Sequence, residues 1–147
     1  MAEDIRDRAA GALLALIPIY YKNVMRNKHA ITGVEMAQFH TLKLLLKFGA
    51  LPMSEIGDRL YISRPYMTRL ADLMIADRLV ERRPDATDRR VIHLAITEQG
   101  RKHLKQAISA YTKDLREGLA GLDDRDIEEL SGALEDVHRI LVKLQQE

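Results

Sequence analysis

Between residues 63 and 90 the chain gathers side chains suited to holding a polyanion. Ser63, Arg64, Pro65, Tyr66, Thr68 and Arg69 fall in one short stretch, and Arg82, Arg83, Arg89 and Arg90 follow. A guanidinium can grip guanine bidentately or pair with phosphate, and the hydroxyls of Ser, Tyr and Thr add neutral donors. Any one of these residues alone reads as ordinary solvated surface. Their succession within thirty residues points to nucleic acid. Asp88, two residues before Arg90, is placed to fix that arginine side chain before a ligand arrives.

Other chemistries find less support. The five histidines, at positions 29, 40, 93, 103 and 138, include no pair four apart on one helix. A zinc site needs three or four ligands in tetrahedral geometry, so a metal-responsive protein, with His40 and His103 approaching across the fold, stays only as an alternative. There is no glycine-rich phosphate loop, nucleophile elbow or paired-carboxylate pocket, which argues against an enzyme and against a bound cofactor. With no cysteine, the chain has no disulfide, no thiolate metal site and no thiol redox switch.

The elements that must position these residues follow from composition and period. A chain of 147 residues, 46% hydrophobic and 31% charged, fits one globular domain. The net charge of +1 conceals an uneven distribution: about +1 over residues 1–58, +4 over 59–103, +2 over 104–113 and −6 over 114–147. A basic middle beside an acidic tail suggests that one surface meets a polyanion and another does not. The longest uncharged run, Ala9 to Tyr21, has 13 residues and contains Pro18, too short for the roughly 20 needed to span a bilayer. With Glu3, Asp4 and Asp7 near the start there is no basic leader, and a cytoplasmic protein is expected.

Apolar spacing of three and four predicts a first helix over about Asp4–Lys28, kinked at Pro18, with Ile5, Ala9, Leu13, Leu16, Ile17, Tyr20, Val24 and Met25 on its apolar positions. A second covers about Val34–Phe48, with Met36, Phe39, Leu42, Leu45 and Leu46 inward and Gly49 as its stop. A short third helix, Met53–Leu60, leads through Tyr61–Ile62 to Ser63, an N-cap for a helix whose inward residues are Met67, Leu70, Leu73 and Met74. Two short helices joined by a three-residue turn form a helix-turn-helix, with Arg64 and Arg69 in the first two turns of its second helix. After Arg78 the period becomes two. Residues 79–83 and 91–96 form a β-hairpin around the turn Pro84-Asp85-Ala86-Thr87, with Ile92, Leu94 and Ile96 on one face and Val91, His93 and Ala95 on the other. Thr97 caps the next helix, which runs through Leu104, Ala107, Ile108, Tyr111 and Leu115. Asp123 caps the last, where Ile127, Leu130, Leu134, Val137, Leu141 and Leu144 form a seven-residue stripe fit for packing along another helix, in a dimer seam or in the core.

Residues 62–90 together with 96–101 resemble the winged helix-turn-helix core of the MarR family of transcriptional regulators. The most specific parts are Asp88-x-Arg90 and Thr97-x-x-Gly100, with looser similarity at Gln38-Phe39, Leu42 and Leu122-Asp123, so that nearly the whole chain is covered. The resemblance implies a mainly α fold with a small β-hairpin wing: a single domain over 1–147, its winged core at about 33–97 and dimerisation helices at about 4–28 and 98–147. It also implies a homodimer on a pseudo-palindromic operator in double-stranded DNA. Residues Ser63 to Arg69 would then be the reading end of the recognition helix, Arg90 the wing residue entering the minor groove, Arg89 an added phosphate contact and Asp88 a support.

Members of the family are often repressors released by small phenolic or amphipathic anions bound between the dimerisation helices and the winged motif. Tyr20, Tyr21, Met25, Met36, Phe39 and His40 are candidates for that junction; they are equally ordinary core residues, and none is assigned as a ligand contact. A departure from the family pattern is Arg78, where glycine is usual. Glycine takes a left-handed backbone without steric cost, so the expectation is that the helix ends differently, with Asp77 taking the awkward conformation; the fold is expected to stand, and the wing angle is left open. The contrasting reading is an architectural protein that uses the same basic face without reading sequence; steep salt dependence without sequence preference would mark it.

Overall fold

The computed structural model describes residues 4–23 and 33–145. The elements are α1 (Ile5–Asn23), α2 (Gly33–Phe48), β1 (Leu51–Pro52), α3 (Met53–Leu60), α4 (Arg64–Ala76), β2 (Val80–Pro84), β3 (Ile92–Ile96), α5 (Glu98–Gly118) and α6 (Asp124–Leu141), followed by a 3₁₀ turn, Val142–Gln145. The chain divides into two compact units, one within His29–Tyr111 and the other formed from Met1–Lys28 and Thr112–Glu147.

The first unit holds the core. Leu42 and Leu45 of α2, Ile56 of α3, Met67, Leu70, Ala71 and Met74 of α4, Leu94 and Ile96 of β3 and Leu104 of α5 are buried together. Thr41, the buried polar residue of α2, donates its hydroxyl to the Ala37 carbonyl at 2.8 Å. Leu46 and Leu73, expected inward, are 49% and 50% exposed. Each is adjacent in sequence to an innermost residue, Leu45 or Met74, and so lies about 100° round its helix from it. Ala71 takes the inner place on α4 instead.

The wing is a three-stranded antiparallel sheet in the order β1-β3-β2, with Leu51 opposite Leu94 and Val80 opposite Ile96. The extra strand, β1, has two residues, too few for an alternating pattern to show, and its Pro52 is tolerated on an edge. Leu94, Ala95 and Ile96 are all buried, so the expected two-faced alternation of β3 fails at its inner end, where the strand contacts α2 and α3.

A tight joint links α4 to the wing. Arg78, not Asp77, takes the left-handed conformation: its φ is 58°, while Asp77 sits at φ −80° and ψ 2°. The Leu79 N–H donates to the Met74 carbonyl at 2.9 Å and the Arg78 N–H to that of Ile75 at 2.9 Å, the paired bonds that close a helix around a left-handed residue. Across the joint the Thr97 hydroxyl donates to the Arg78 carbonyl at 2.6 Å and accepts from the Gly100 N–H at 2.9 Å, capping α5. Gly100 is needed here because a Cβ would lie 2.0 Å from the Leu79 carbonyl oxygen.

In the second unit no described residue of α1 or α6 is buried. Asp123 caps α6 by accepting from the Asp126 N–H at 2.8 Å. Along α6, Ile127 and Leu130 are half-buried, whereas Leu134, Val137 and Leu141 are exposed; Leu144, expected on the same helical stripe, falls instead in the 3₁₀ turn and is exposed. Val24 and Met25, expected on the first helix, lie outside the described residues.

A left-handed conformation costs a non-glycine residue roughly 1–2 kcal/mol. Arg78→Gly is therefore expected to raise the stability of the fold by about 1 kcal/mol in urea unfolding. An unchanged or lowered midpoint would show that the arginine side chain stabilises the joint.

Candidate nucleic-acid interface

The N-terminus of α4 is built by local chemistry. Ser63 accepts from the Tyr66 N–H at 3.3 Å, and Pro65 occupies the first turn, where its missing N–H costs nothing. Ser63, Arg64, Pro65, Thr68 and Arg69 are exposed and Tyr66 is half-buried beneath them. The Arg69 guanidinium stands 6.0 Å from the centre of the Tyr66 ring, and Thr68 donates to the Arg64 carbonyl at 3.1 Å. Arg64 and Arg69 make no ion pair with a described residue, which leaves both guanidiniums available to an external anion.

The wing is ordered by two aspartates. Asp88 Oδ1 accepts from the Arg90 N–H at 2.9 Å and from its Nε at 3.3 Å, while the Arg90 side chain stays 92% exposed. Arg89 is exposed and makes no ion pair with a described residue. Asp85, seen from sequence only as part of a turn, ties the tip together. Its Oδ2 accepts from the Thr87 N–H at 3.0 Å, the Thr87 hydroxyl at 2.8 Å and the Asp88 N–H at 3.0 Å, and its Oδ1 lies 2.9 Å from His93 Nε2. The Asp88 N–H foremost, then the Thr87 hydroxyl and N–H and then His93, hold the Asp85 carboxyl well below the usual carboxylate range. Arg82 is tied to Asp72, joining β2 to the outer face of α4, and Arg83 pairs with Glu81 at 2.6 Å.

A cavity of about 200 Å³ lies between α2 and α5 of the same unit, lined by Glu35, Gln38, Phe39, Leu42, His103, Ala107 and Tyr111. Phe39 and Tyr111 meet edge to face at 5.1 Å. Burial, and secondly the charge of Glu35, push the Tyr111 phenol up from its ordinary value, which keeps it a hydrogen-bond donor. Of the candidate effector residues only Phe39 lines this cavity. Met36 and His40 do not, Tyr20 and Tyr21 pack edge to face on each other in α1, and Met25 lies outside the described residues. Partial burial and then Lys43 lower the His40 pKa from its ordinary value. His103 lines the cavity without His40, and among the described residues no group of three or more His, Asp or Glu could hold a metal ion.

An exposed, capped helix following a short helix and turn, flanked by an arginine-bearing hairpin, defines a winged helix-turn-helix DNA-binding protein. A model of the MarR family matches residues 32–91. The chain is 30% identical over 101 residues to the uncharacterized HTH-type transcriptional regulator YsmB of Bacillus subtilis (strain 168), covering 69% of this chain and 67% of that one. It is 38% identical over 68 residues to the HTH-type transcriptional repressor MdtR of the same organism, covering 46% and 44%. The crystal structure of Streptococcus pneumoniae FabT in complex with DNA shares the fold at a TM-score of 0.59, with 18% identity, over 95% of this chain and 99% of that one. The chain belongs to the MarR family, and it is a DNA-binding transcriptional regulator rather than an enzyme.

The depressed Asp85 pKa has a definite consequence. The clamp contributes in full above the ordinary carboxylate pKa of about 4 and is lost as pH falls from there towards the lower folded value. The amide resonances of Thr87 and Asp88 should therefore hold steady from neutral pH down to about pH 4 and move only in stronger acid. In Asp85→Asn they should be displaced at every pH and lose that transition; retention of wild-type positions would remove Asp85 from the wing tip.

Proposed function

We propose that this chain is a cytoplasmic homodimeric repressor that sets two winged motifs on a pseudo-palindromic operator in double-stranded DNA and leaves it when a small molecule binds. The observation that carries the DNA reading is the pairing of two exposed arginine sites in one unit: Arg64 and Arg69 at the capped start of α4, and Arg90 held by Asp88 on the wing. A capped helix N-terminus suits the major groove, and a pre-positioned arginine suits a narrow minor groove. Ser63, Pro65, Tyr66, Thr68 and Arg89 complete this interface.

Dimerisation is supported by the terminal helices. The α6 stripe leaves Leu134 57% exposed and Val137 and Leu141 uncovered, Leu144 is exposed in the 3₁₀ turn that follows, and α1 exposes Leu13, Leu16, Ile17 and Tyr20. Apolar faces of this extent call for a partner, and a two-fold dimer matches a palindromic site. The sense of regulation is drawn from the relative named a transcriptional repressor. No helix among the described residues is long and apolar enough to cross a membrane, which agrees with a cytoplasmic regulator.

The α2–α5 cavity is the place for an effector. Its lining combines an aromatic pair with the Glu35 carboxylate, the Gln38 amide, the Tyr111 phenol and the His103 ring, and contains no lysine or arginine. That chemistry suits a phenol, whose ring can meet the Phe39–Tyr111 pair and whose hydroxyl can hydrogen-bond to Gln38 or His103.

Three outcomes test this reading. Arg90→Ala should weaken operator binding about tenfold, the scale of one good base or groove contact, without changing the thermal midpoint; equal affinity at physiological salt would remove the wing from the interface. Leu134→Glu places a charge in the stripe and should shift the protein to monomer or unfolded chain in light scattering; a stable dimer would contradict the seam. Ala107→Leu, which fills the cavity, should abolish release by a phenolic effector while leaving operator affinity intact; unaltered release would place the effector elsewhere.

A further inference from the structure

Tyr61 ends α3 in the left-handed conformation, with φ 55° and ψ 41°, and its side chain is 97% exposed. Its hydroxyl bonds to no described residue, and its ring packs on no other described ring. The backbone work of this position needs no side chain at all: the Tyr61 N–H donates to the Asp58 carbonyl at 3.3 Å and the Ile62 N–H to that of Gly57 at 3.0 Å. Glycine would do that work at lower cost, since only glycine enters this region without steric penalty. Arg78 shares the conformation, but its carbonyl is held by the Thr97 hydroxyl within the core joint. At Tyr61 a large aromatic side chain sits in a strained position and contributes nothing to the packing of the free protein.

Its place in the chain supplies the reason. Tyr61 lies two residues before the Ser63 cap, at the end of α4 that a helix-turn-helix directs into the major groove. The phosphates bordering that groove are the groups nearest to a residue just outside the helix start. In an intact duplex the bases are stacked on one another and offer the ring no face, so the remaining contact is from the phenol hydroxyl. A tyrosine hydroxyl donating to a phosphate oxygen makes a short, charge-assisted hydrogen bond.

We propose that Tyr61 is a phosphate-contacting residue of the DNA interface, its hydroxyl donating to the backbone at the edge of the groove that α4 enters. The contact sets the depth and register of α4 and carries no sequence information. The proposal rests on the DNA-binding reading of α4 and the wing, and its test separates the two.

Affinities are measured at about 150 mM salt for a duplex selected by the wild-type protein and for an unrelated duplex of the same length, using wild type, Tyr61→Phe, Tyr61→Gly and Arg90→Ala. Tyr61→Phe keeps the ring and the backbone and should weaken both duplexes by the same factor, about tenfold, with an unchanged thermal midpoint. Tyr61→Gly should bind at least as weakly while melting at a higher temperature. A merely structural residue would not show stability and affinity moving in opposite directions. Wild-type affinity in both Tyr61 variants, with Arg90→Ala weakened, would overturn the proposal and leave the DNA reading standing. A loss confined to the selected duplex would overturn it in favour of base recognition. Failure of the wild-type protein to retain any duplex would overturn both.

Discussion

One carbonyl group organises the reading surface. The Leu79 carbonyl accepts from the Thr97 N–H at 3.1 Å, stands 3.1 Å from the Thr97 hydroxyl whose proton goes chiefly to the Arg78 carbonyl, and lies against Gly100 with no room for a side chain. At that point the end of α4, the start of β2, the end of β3 and the start of α5 are bound to one another. The direction of the wing relative to the recognition helix is therefore set by hydrogen bonds and a close backbone approach in the core, not by its exposed ion pairs. The cost is the left-handed Arg78, roughly 1–2 kcal/mol, offset by the bonds that close α4 and cap α5.

On this frame the exposed ion pairs add little to the stability of the free protein. Exposed pairs such as Arg83–Glu81 and Arg90–Asp88 each contribute on the order of 0–1 kcal/mol. Their effect is to order the side chains beforehand. Asp88 restricts Arg90 and Asp85 restricts the loop that carries it, so that on the proposed DNA-binding reading less conformational freedom would remain to be lost on binding. The Arg82–Asp72 pair similarly connects wing and recognition helix on the exposed side. An architectural protein needs only the charge; this degree of ordering suits one that must present guanidiniums in a defined register.

Much of this was legible in the sequence, wherever local chemistry decides structure. Ser63, Thr97 and Asp123 stand where side-chain caps are needed, and each forms its cap. The change of period after Arg78 marks the wing, where β2 and β3 form. What could not be read depends on distant partners or on pieces too short to show a pattern. β1 has two residues and exists only because β3 is there to pair with it. Leu46 and Leu73 satisfy an apolar spacing yet fall about 100° from the line that the neighbouring elements cover. Arg78 takes the left-handed position, where Asp77 had been the natural choice from side-chain type, because Thr97, nineteen residues on, bonds its carbonyl. Asp72 and Arg82, ten residues apart, meet only after the chain reverses. Asp85 did leave a signal, since aspartate in a Pro-Asp-x-Thr turn commonly bonds the following N–H groups.

The central claim is that the ordered arginines read sequence as well as phosphate charge. Selection of genomic fragments by the purified protein at about 150 mM salt, followed by sequencing of those retained, tests it most directly. The account predicts enrichment of a short inverted repeat, with half-sites spaced for two winged motifs. Even retention across all fragments, lost together as salt is raised, would contradict it and leave a protein that binds DNA by charge alone.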